Sequence, residues 1–290
     1  MVESMIASIY SEYNLSPIAD VKKFYFIRRV MRIFAEEVFC CDGKSTVYES
    51  ESAYSHYAIW PLVKASTEAA GTSLGFRPGE THLHAMTCSK NDVQYKADGV
   101  AYLRKSQLEV LLLEVSGAYD GNDRPRQVFD HIKGAFGATA MLRAILSKYC
   151  YADPKLLPKI QVLFVHARKQ HTRVWSMKAK ESGEVCFFER VAKTFMPVDV
   201  GDAANIVEVA NFFWLLGDLL KNAVAAVEQL RLSHNEYLIQ NSSVAGGAKR
   251  RRLDSLIRAQ PPKPTKVSSY ANMGDLDPIS SPLGGSLASE

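Results

Sequence analysis

The chain has 290 residues, of which 47% are hydrophobic and 10% aromatic, enough for one sizeable core or two smaller ones. Its net charge of +4 is uneven: from residue 241 onward there are seven Lys or Arg and four acids, which leaves 28 basic and 27 acidic residues in the first 240. The nearly neutral body gives little indication of nucleic-acid binding. The five cysteines form no CxxC pair and no stretch has the roughly 20 apolar residues that cross a bilayer. We therefore expect a soluble intracellular protein without disulfides or a membrane span.

Two helices are predicted at the start of the chain. Residues 20–40 place apolar side chains at helical spacing: Ile27, Val30, Phe34 and Val38. The second helix is predicted over residues 51–71. We expect it to bend or restart at Pro61, because proline lacks the amide proton and its ring clashes with the preceding turn.

A hairpin and a crossover helix follow. The segments YKADGVAYL and LEVLLLEVS predict two strands around a short polar turn, and residues 125–149 predict a long helix. KIQVLFVHA then predicts a strand covered on both faces, TRVWSMKAK and EVCFFERVAKTF predict further strands, and residues 203–238 predict a final helix. A strand, a crossover helix and another strand favour an α/β fold with a mixed central sheet flanked by helices.

The composition changes at residue 241. We predict one domain over residues 1–240 and a disordered tail over 241–290, because the tail is rich in Ser, Pro and Gly and poor in large apolar residues. A basic cluster lies in this tail: Lys249, Arg250, Arg251 and Arg252. It indicates a nuclear address read by an import receptor, and the alternative is a solvated charge run.

Two acids stand out in the hairpin. Side chains alternate along a strand, so Asp98 and Glu114 pair directly on one face if the connection has an odd number of residues. Opposed Cβ atoms then lie about 4.5–5.5 Å apart, where two carboxylates repel each other unless a cation lies between them. Carboxylates are ligands that Mg²⁺ prefers. The alternative is that Glu114 ends its strand facing water and pairs with Lys96.

These residues resemble a known family. The run KADG followed by EVS is similar to the core of the PD-(D/E)XK nuclease superfamily. Together, SESAYSHYAIWPLV, PGETHLHA, YKADGV, LLLEVSG and DHIKGAFGATAML resemble a group of uncharacterised fungal proteins with such a core. The resemblance covers roughly residues 45–150. It implies a restriction-endonuclease-like αβββαβ core, and a nucleic acid as substrate.

The resemblance also implies roles for individual residues. Asp98 and Glu114 match the two acids that bind Mg²⁺ or Mn²⁺, and Val115 would lend its carbonyl to the same ion. The early acid supplied by the first core helix corresponds to Glu51, with Glu80 as a second candidate. Such an ion would lower the pKa of a bound water and stabilise charge on the scissile phosphate.

The sequence departs from the family at Ser116, which stands in the candidate catalytic set where the family has a lysine. A hydroxyl cannot supply the positive charge of that lysine. Lys96 and Lys133 are two possible replacements. The alternatives are that Lys96 is a surface charge of the hairpin and that Lys133 pairs with Asp130 on its own helix.

Two arginines at the start of the long helix, Arg124 and Arg126, are placed to contact a backbone phosphate; the alternative, which we favour, is ordinary solvated surface. Two hypotheses follow. The chain is an active metal-dependent nuclease, or it is a non-catalytic relative that binds nucleic acid or a protein partner. An ammonium group within reach of Asp98 and Glu114 favours the enzyme.

Overall fold

The central sheet has six strands, and their order in the sheet is their order along the chain. The computed structural model describes residues 18–39, 45–87, 95–180, 186–241 and 250–256. The strands are β1 (Leu74–His82), β2 (Lys96–Leu103), β3 (Glu109–Ser116), β4 (Gln161–Arg168), β5 (His171–Ala179) and β6 (Cys186–Phe195). Neighbouring strands are antiparallel except β3 and β4, which run parallel. The protein is therefore α/β with a mixed sheet, as predicted.

Helices cover both faces of this sheet. Their bounds are α1 (Ile18–Ile33), α2 (Glu51–Tyr54), α3 (Trp60–Ala70), α4 (His84–Thr87), α5 (Arg124–Lys148) and α6 (Ile206–Asn241). A π-helical turn, Phe34–Val38, extends α1, and a second, Ser55–Ile59, joins α2 to α3. The short 3₁₀ turns are Thr46–Tyr48, Pro154–Lys159, Val200–Asn205 and Leu253–Ser255.

The crossover helix α5 covers one face of β3 and β4, and α6 covers the other. Phe164 of β4 faces α5, because its ring lies directly against Gly134. Gln161, three residues earlier and therefore on the opposite face, donates its side-chain amide to the Leu219 carbonyl of α6. All eight residues of β3 and of β4 are buried, as expected for adjacent parallel strands covered on both sides.

Two glycines allow α5 to lie close to the sheet. A Cβ atom at Gly134 would be 2.2 Å from Cζ of Phe164, and one at Gly137 would be 2.9 Å from Oη of Tyr95. A larger residue at either position would push the helix outward. This close approach brings the side chains of the neighbouring turn of α5 over β3.

The long helix α6 supplies much of the core on the other face. Its fully buried large side chains include Val209, Phe213, Leu216 and Leu220. Among the described residues, one helical stretch, Val200–Asn241, is long and apolar enough to cross a membrane, and 44% of its most apolar window is buried inside the protein. Core helices of soluble proteins pass the same test, so the stretch is weak evidence for a membrane span.

Strand β1 is absent from the elements predicted from residue patterns, although the αβββαβ order that the resemblance implies has three strands before the crossover helix. It contains Pro78 and Gly79, whose φ is +89°, and its register shifts between Pro78 and Thr81. Proline and glycine argue against a central strand. They are tolerated here because β1 is an edge strand with one hydrogen-bonded neighbour.

The second predicted helix is helical throughout, but its irregularity lies before Pro61. The π turn Ser55–Ile59 precedes the proline, which occupies the start of α3. The proline ring conflicts with the carbonyl four residues earlier, that of Tyr57. The wider π turn accommodates this conflict without ending the helix.

The prediction of a disordered tail over 241–290 is wrong for the part of it that the structure describes. Residue 241 ends α6, and residues 250–256 pack on the body, where Leu253 is fully buried. The two leucines in RRLDSL supply enough apolar surface for this short segment to dock. An average over the whole tail does not show this, because the rest of the tail is poor in apolar residues. Residues 242–249 and 257–290 lie outside the described residues.

Candidate active site

The strand register brings Asp98 and Glu114 together. Gly99 pairs with Leu113 and Val100 with Leu112, so the same register continued by one residue sets Asp98 opposite Glu114 on one face of the sheet. Beside the turn the register is different, because Tyr102 pairs with Glu109. A β-bulge between Ala101 and Tyr102 shifts the register by one residue and so brings the two acids opposite each other. Glu114 also neighbours His166 across the parallel β3–β4 pair. These side chains therefore share the face that α5 covers.

Glu114 is buried, with 2% of its surface exposed, and both of its oxygens have partners. Nζ of Lys133 donates to Oε2 at 2.6 Å, and the Tyr95 hydroxyl lies 3.3 Å from Oε1. Tyr95 also lies 2.8 Å from the Lys133 carbonyl. Lys133 comes from α5, so it reaches the acid from the helix and not from the strand.

Electrostatics keep Lys133 charged. Burial alone would lower its pKa, but Glu114, Asp130 and Asp98 together hold that pKa above its usual value. Burial raises the pKa of Glu114 well above its ordinary range, opposed by the Lys133 ammonium and reinforced by Asp98 and Asp130. Because the ammonium lies 2.6 Å from the carboxylate, we describe Lys133 and Glu114 as a charged pair.

Asp98 accepts hydrogen bonds at its backbone carbonyl and at one of its two carboxylate oxygens. The Val115 amide donates to Oδ2 at 2.7 Å, and the Trp60 indole donates to the Asp98 carbonyl at 2.8 Å. Within the described residues, no donor is bonded to the other carboxylate oxygen, Oδ1. Burial raises the pKa of Asp98 to about 6, opposed by the Val115 amide and Lys133 and reinforced by Glu51 and Asp130.

Glu51 borders the same site from the start of α2. Its Oε2 accepts the Gly117 amide at 2.7 Å, at the end of β3, and its carboxylate lies 2.6 Å from the Arg126 guanidinium. Arg126 also lies 3.7 Å from Oδ2 of Asp130, one helical turn further along α5. Arg126 therefore connects two acids at the end of the sheet.

Ser116, at the position of the family's lysine, belongs to a buried hydrogen-bond network. Its Oγ lies 2.8 Å from Oδ2 of Asp130 and 2.8 Å from Nε2 of His166. Burial lowers the pKa of His166 well below its usual value, and the nearby Arg168, His131, Arg173 and Lys133 lower it further. His166 is thus a neutral partner of Ser116. Ser116 anchors the first turns of α5 to β3.

Acidic side chains gather around the paired acids. Four carboxylates and two cations lie together: Glu51, Asp98, Glu114, Asp130, Lys133 and Arg126. Two buried arginines, Arg168 and Arg173, also act on His166 beside Ser116. Among the described residues, no group of three or more His, Cys, Asp or Glu side chains is arranged to hold a metal ion. The oxygens of Asp98 and Glu114 are of the type that Mg²⁺ takes together with waters and substrate phosphate.

Several predicted site residues lie elsewhere. Nζ of Lys96 bonds Oε2 of Glu80 at 2.9 Å on the exposed surface, so neither side chain belongs to the cluster. Arg124 is exposed at the helix start. Two of the alternatives were wrong: Lys133 pairs with Glu114 and not with Asp130, and Glu114 therefore pairs with Lys133 and not with Lys96.

The sequence did not predict four members of the site: Tyr95, Trp60, His166 and Asp130. Their contacts join elements that are distant in the chain; Trp60 and Asp98, for example, are separated by 38 positions. Side-chain spacing within one element cannot reveal such contacts.

No protein-family model, curated protein or solved structure matches the chain. The geometry and chemistry of the site therefore carry the functional assignment.

Proposed function

We propose that this protein is a metal-dependent nuclease with a PD-(D/E)XK-type site, in which Lys133 replaces the lysine that the motif lacks at Ser116. One observation carries the proposal: the Lys133 ammonium lies 2.6 Å from Glu114, which the register sets beside Asp98. An ammonium group at the paired acids supplies the charge that Ser116 cannot.

The order of elements supports the same proposal. A helix over residues 51–70 is followed by β1, β2 and β3, the crossover helix α5 and then β4. This order agrees with the αβββαβ order expected of a restriction-endonuclease-like core. Asp98 lies in the second strand, Glu114 in the third and Lys133 in the helix that follows.

Each side chain then has a distinct task. Asp98 offers Oδ1, while the Val115 amide and the Trp60 indole fix the orientation of the residue. Glu114 provides the second carboxylate, and Glu51 a third at the border of the site. Bound Mg²⁺ or Mn²⁺ would supply Lewis-acid activation of water for attack on a phosphodiester. Lys133 would offset negative charge that develops on the scissile phosphate.

Binding of the ion requires Glu114 to share an oxygen that Lys133 now holds. The ammonium must shift by a short rotation of its side chain, which has four rotatable bonds and is part-buried at 16% exposure. A displaced ammonium would remain within the field of Asp130 and Asp98, and a substrate phosphate would give it a new anionic partner.

One observation favours a second candidate, a non-catalytic nuclease-like protein that binds nucleic acid or a protein partner. Both oxygens of Glu114 are bonded within the protein and the side chain is 2% exposed. A permanently closed ion pair would leave Asp98 without its partner for the metal.

A cleavage assay separates the two. Labelled single- and double-stranded DNA and RNA are incubated with the protein in Mg²⁺ or Mn²⁺, beside Asp98→Ala/Glu114→Ala and the surface control Glu80→Ala. We expect cleavage by the wild type and by Glu80→Ala, and none by the double variant. Cleavage by all three proteins, or by none, contradicts the nuclease proposal. Retention of nucleic-acid binding without cleavage supports the second candidate.

We also propose that the protein is nuclear, with the basic cluster as its import signal. The sequence of the cluster supports this location.

A further inference from the structure

The basic cluster of the C-terminal region is attached to the body through Arg250. The Arg250 amide donates to Oη of Tyr237 at 2.8 Å, and its Nη1 donates to the Tyr151 carbonyl at 3.0 Å. The guanidinium lies 4.9 Å from the centroid of the Tyr237 ring, within the range of a cation–π contact. Both the backbone and the charge of Arg250 are thus engaged.

Arg252 is engaged in a similar way. Its Nε and Nη2 donate to the two oxygens of Asp254 at 3.0 and 2.7 Å, which is the two-pronged geometry of a strong Arg–carboxylate pair. Its guanidinium also lies 5.6 Å from the centroid of the Tyr151 ring. Asp254 therefore supplies, within the chain, the carboxylate that an acidic partner would offer.

Two leucines anchor the same segment. Leu253 is fully buried and Leu256 is 8% exposed. The Leu253 amide donates to the Cys150 carbonyl at 2.8 Å. The Tyr151 amide in turn donates to Nδ1 of His234 on α6 at 3.1 Å, so the surface that receives the segment is itself tied to the helix.

We propose that residues 250–256 form a basic latch that controls access to the cluster. The partner is a receptor whose groove is lined with acidic side chains and grips an extended Lys/Arg-rich peptide. Such a receptor needs successive side chains and the backbone of the cluster. Docking engages the backbone and the guanidinium of Arg250 and places the half-exposed Arg252 over the Tyr151 ring. The receptor therefore binds when the latch opens. This proposal does not depend on nuclease activity.

The contacts explain how opening occurs. The segment is held by two leucines, two ring contacts and a few hydrogen bonds, and the Arg252 pair is half exposed. An acidic groove offers carboxylates that replace Asp254 and the Tyr151 carbonyl. Receptor binding and docking compete for the same two guanidinium groups.

The test measures binding of the full chain to a purified import receptor with an acidic peptide groove, by fluorescence anisotropy. The proteins compared are the wild type and two opened variants, Leu253→Ser/Leu256→Ser and Tyr237→Ala. A synthetic peptide of residues 247–258, GAKRRRLDSLIR, measures the affinity of the unlatched cluster. Arg250→Ala/Arg251→Ala/Arg252→Ala in the Leu253→Ser/Leu256→Ser background is the control for specificity. Circular dichroism checks that the body of each variant is folded. If the leucine variant does not fold, Tyr237→Ala still provides an opened protein for the comparison.

We expect the peptide and the opened variants to bind at least about tenfold more tightly than the wild type, and the arginine control to lose binding. Equal binding by wild type and peptide overturns the proposal, because the cluster is then already accessible. Absence of binding by the peptide overturns the choice of partner. Tight binding by the peptide but not by any folded opened variant shows that the latch is not what limits access. Hydrogen exchange of the Leu253 amide as fast as in the peptide shows that the latch does not dock, and overturns the proposal as well.

Discussion

Nζ of Lys133 and Oε2 of Glu114 lie 2.6 Å apart, although the two residues belong to a helix and a strand that are separated by a loop. Gly134 lies next to Lys133 and lets α5 approach β4 closely enough for this contact. Ser116 holds the adjacent turn through Asp130. The position of one ammonium group thus depends on a small residue and a hydroxyl that have no catalytic chemistry of their own.

Moving the lysine back to the strand should restore function. Lys133→Gln keeps a donor near Glu114 but removes the charge, so we expect cleavage to fall by about 10²-fold or more. Ser116→Lys in that background places an ammonium on the same face of β3 as Glu114 and should recover at least about tenfold. Initial cleavage rates in Mn²⁺ provide the measurement.

The matched control for this pair is Lys96→Gln, because Lys96 is exposed and bonded to Glu80. It should stay within about twofold of the wild type. If Lys96→Gln loses as much activity as Lys133→Gln, the assignment of Lys133 is wrong.

Stability should depend on pH through Asp98. Burial raises the pKa of Asp98 from 3.8 to about 6, so the folded protein binds this proton more tightly than the unfolded chain. The free energy of unfolding should therefore fall as the pH rises from about 4 to about 6, and this contribution should be constant above that range. Without metal, Asp98→Asn should be more stable than the wild type at pH 7, by about 1–3 kcal/mol.

Urea denaturation at several pH values checks this difference, with Glu80→Gln as the control. The bond from Lys96 lowers the pKa of Glu80, so that contribution has the opposite sign: it is present at higher pH and lost as the pH falls. A difference between Asp98→Asn and the wild type that does not change between pH 4 and 6 would rule out the raised pKa.

The sequence predicted the paired acids on the condition of an odd connection, because strand alternation is a local property. The β-bulge after Ala101 that sets the register was not predicted. The sequence left two candidates, Lys96 and Lys133, for the lysine that is missing at Ser116. Helix packing decides which of them reaches Glu114, and no local pattern predicts that packing. Strand β1 was missed because Pro78 resembles a loop residue, and only the sheet shows it to lie on an edge. The docking of residues 250–256 was not predicted either. It depends on burial of Leu253 beside Cys150, a contact between segments about 100 residues apart.

Gly134→Ala should destabilise the fold. Its Cβ would lie 2.2 Å from the Phe164 ring, so the helix or the ring must move, at a cost of about 1–3 kcal/mol. Phe164→Leu should recover part of this loss in the double variant, although it costs stability alone. Additive losses in a thermal or urea double-mutant cycle would show that the two residues are not in contact.

The Trp60 indole should position Asp98. Trp60→Phe removes the donor to the Asp98 carbonyl, and we expect a loss of about 0.5–1.5 kcal/mol of stability and a few-fold weaker Mn²⁺ binding. Tyr57→Phe, in the π turn before Trp60, removes a hydroxyl that is not bonded to Asp98 among the described residues, and serves as the control. Unchanged Mn²⁺ affinity in Trp60→Phe would limit the indole to a structural role.

The central claim is that Asp98 and Glu114 share one divalent cation. A crystal structure of the protein grown with Mn²⁺ tests it directly through the anomalous signal of the ion. We predict an anomalous peak about 2.1 Å from Oδ1 of Asp98 and from a carboxylate oxygen of Glu114, with the Lys133 ammonium displaced from Glu114. A map with no peak between these acids, and with Lys133 still paired to Glu114 at saturating Mn²⁺, would contradict the account.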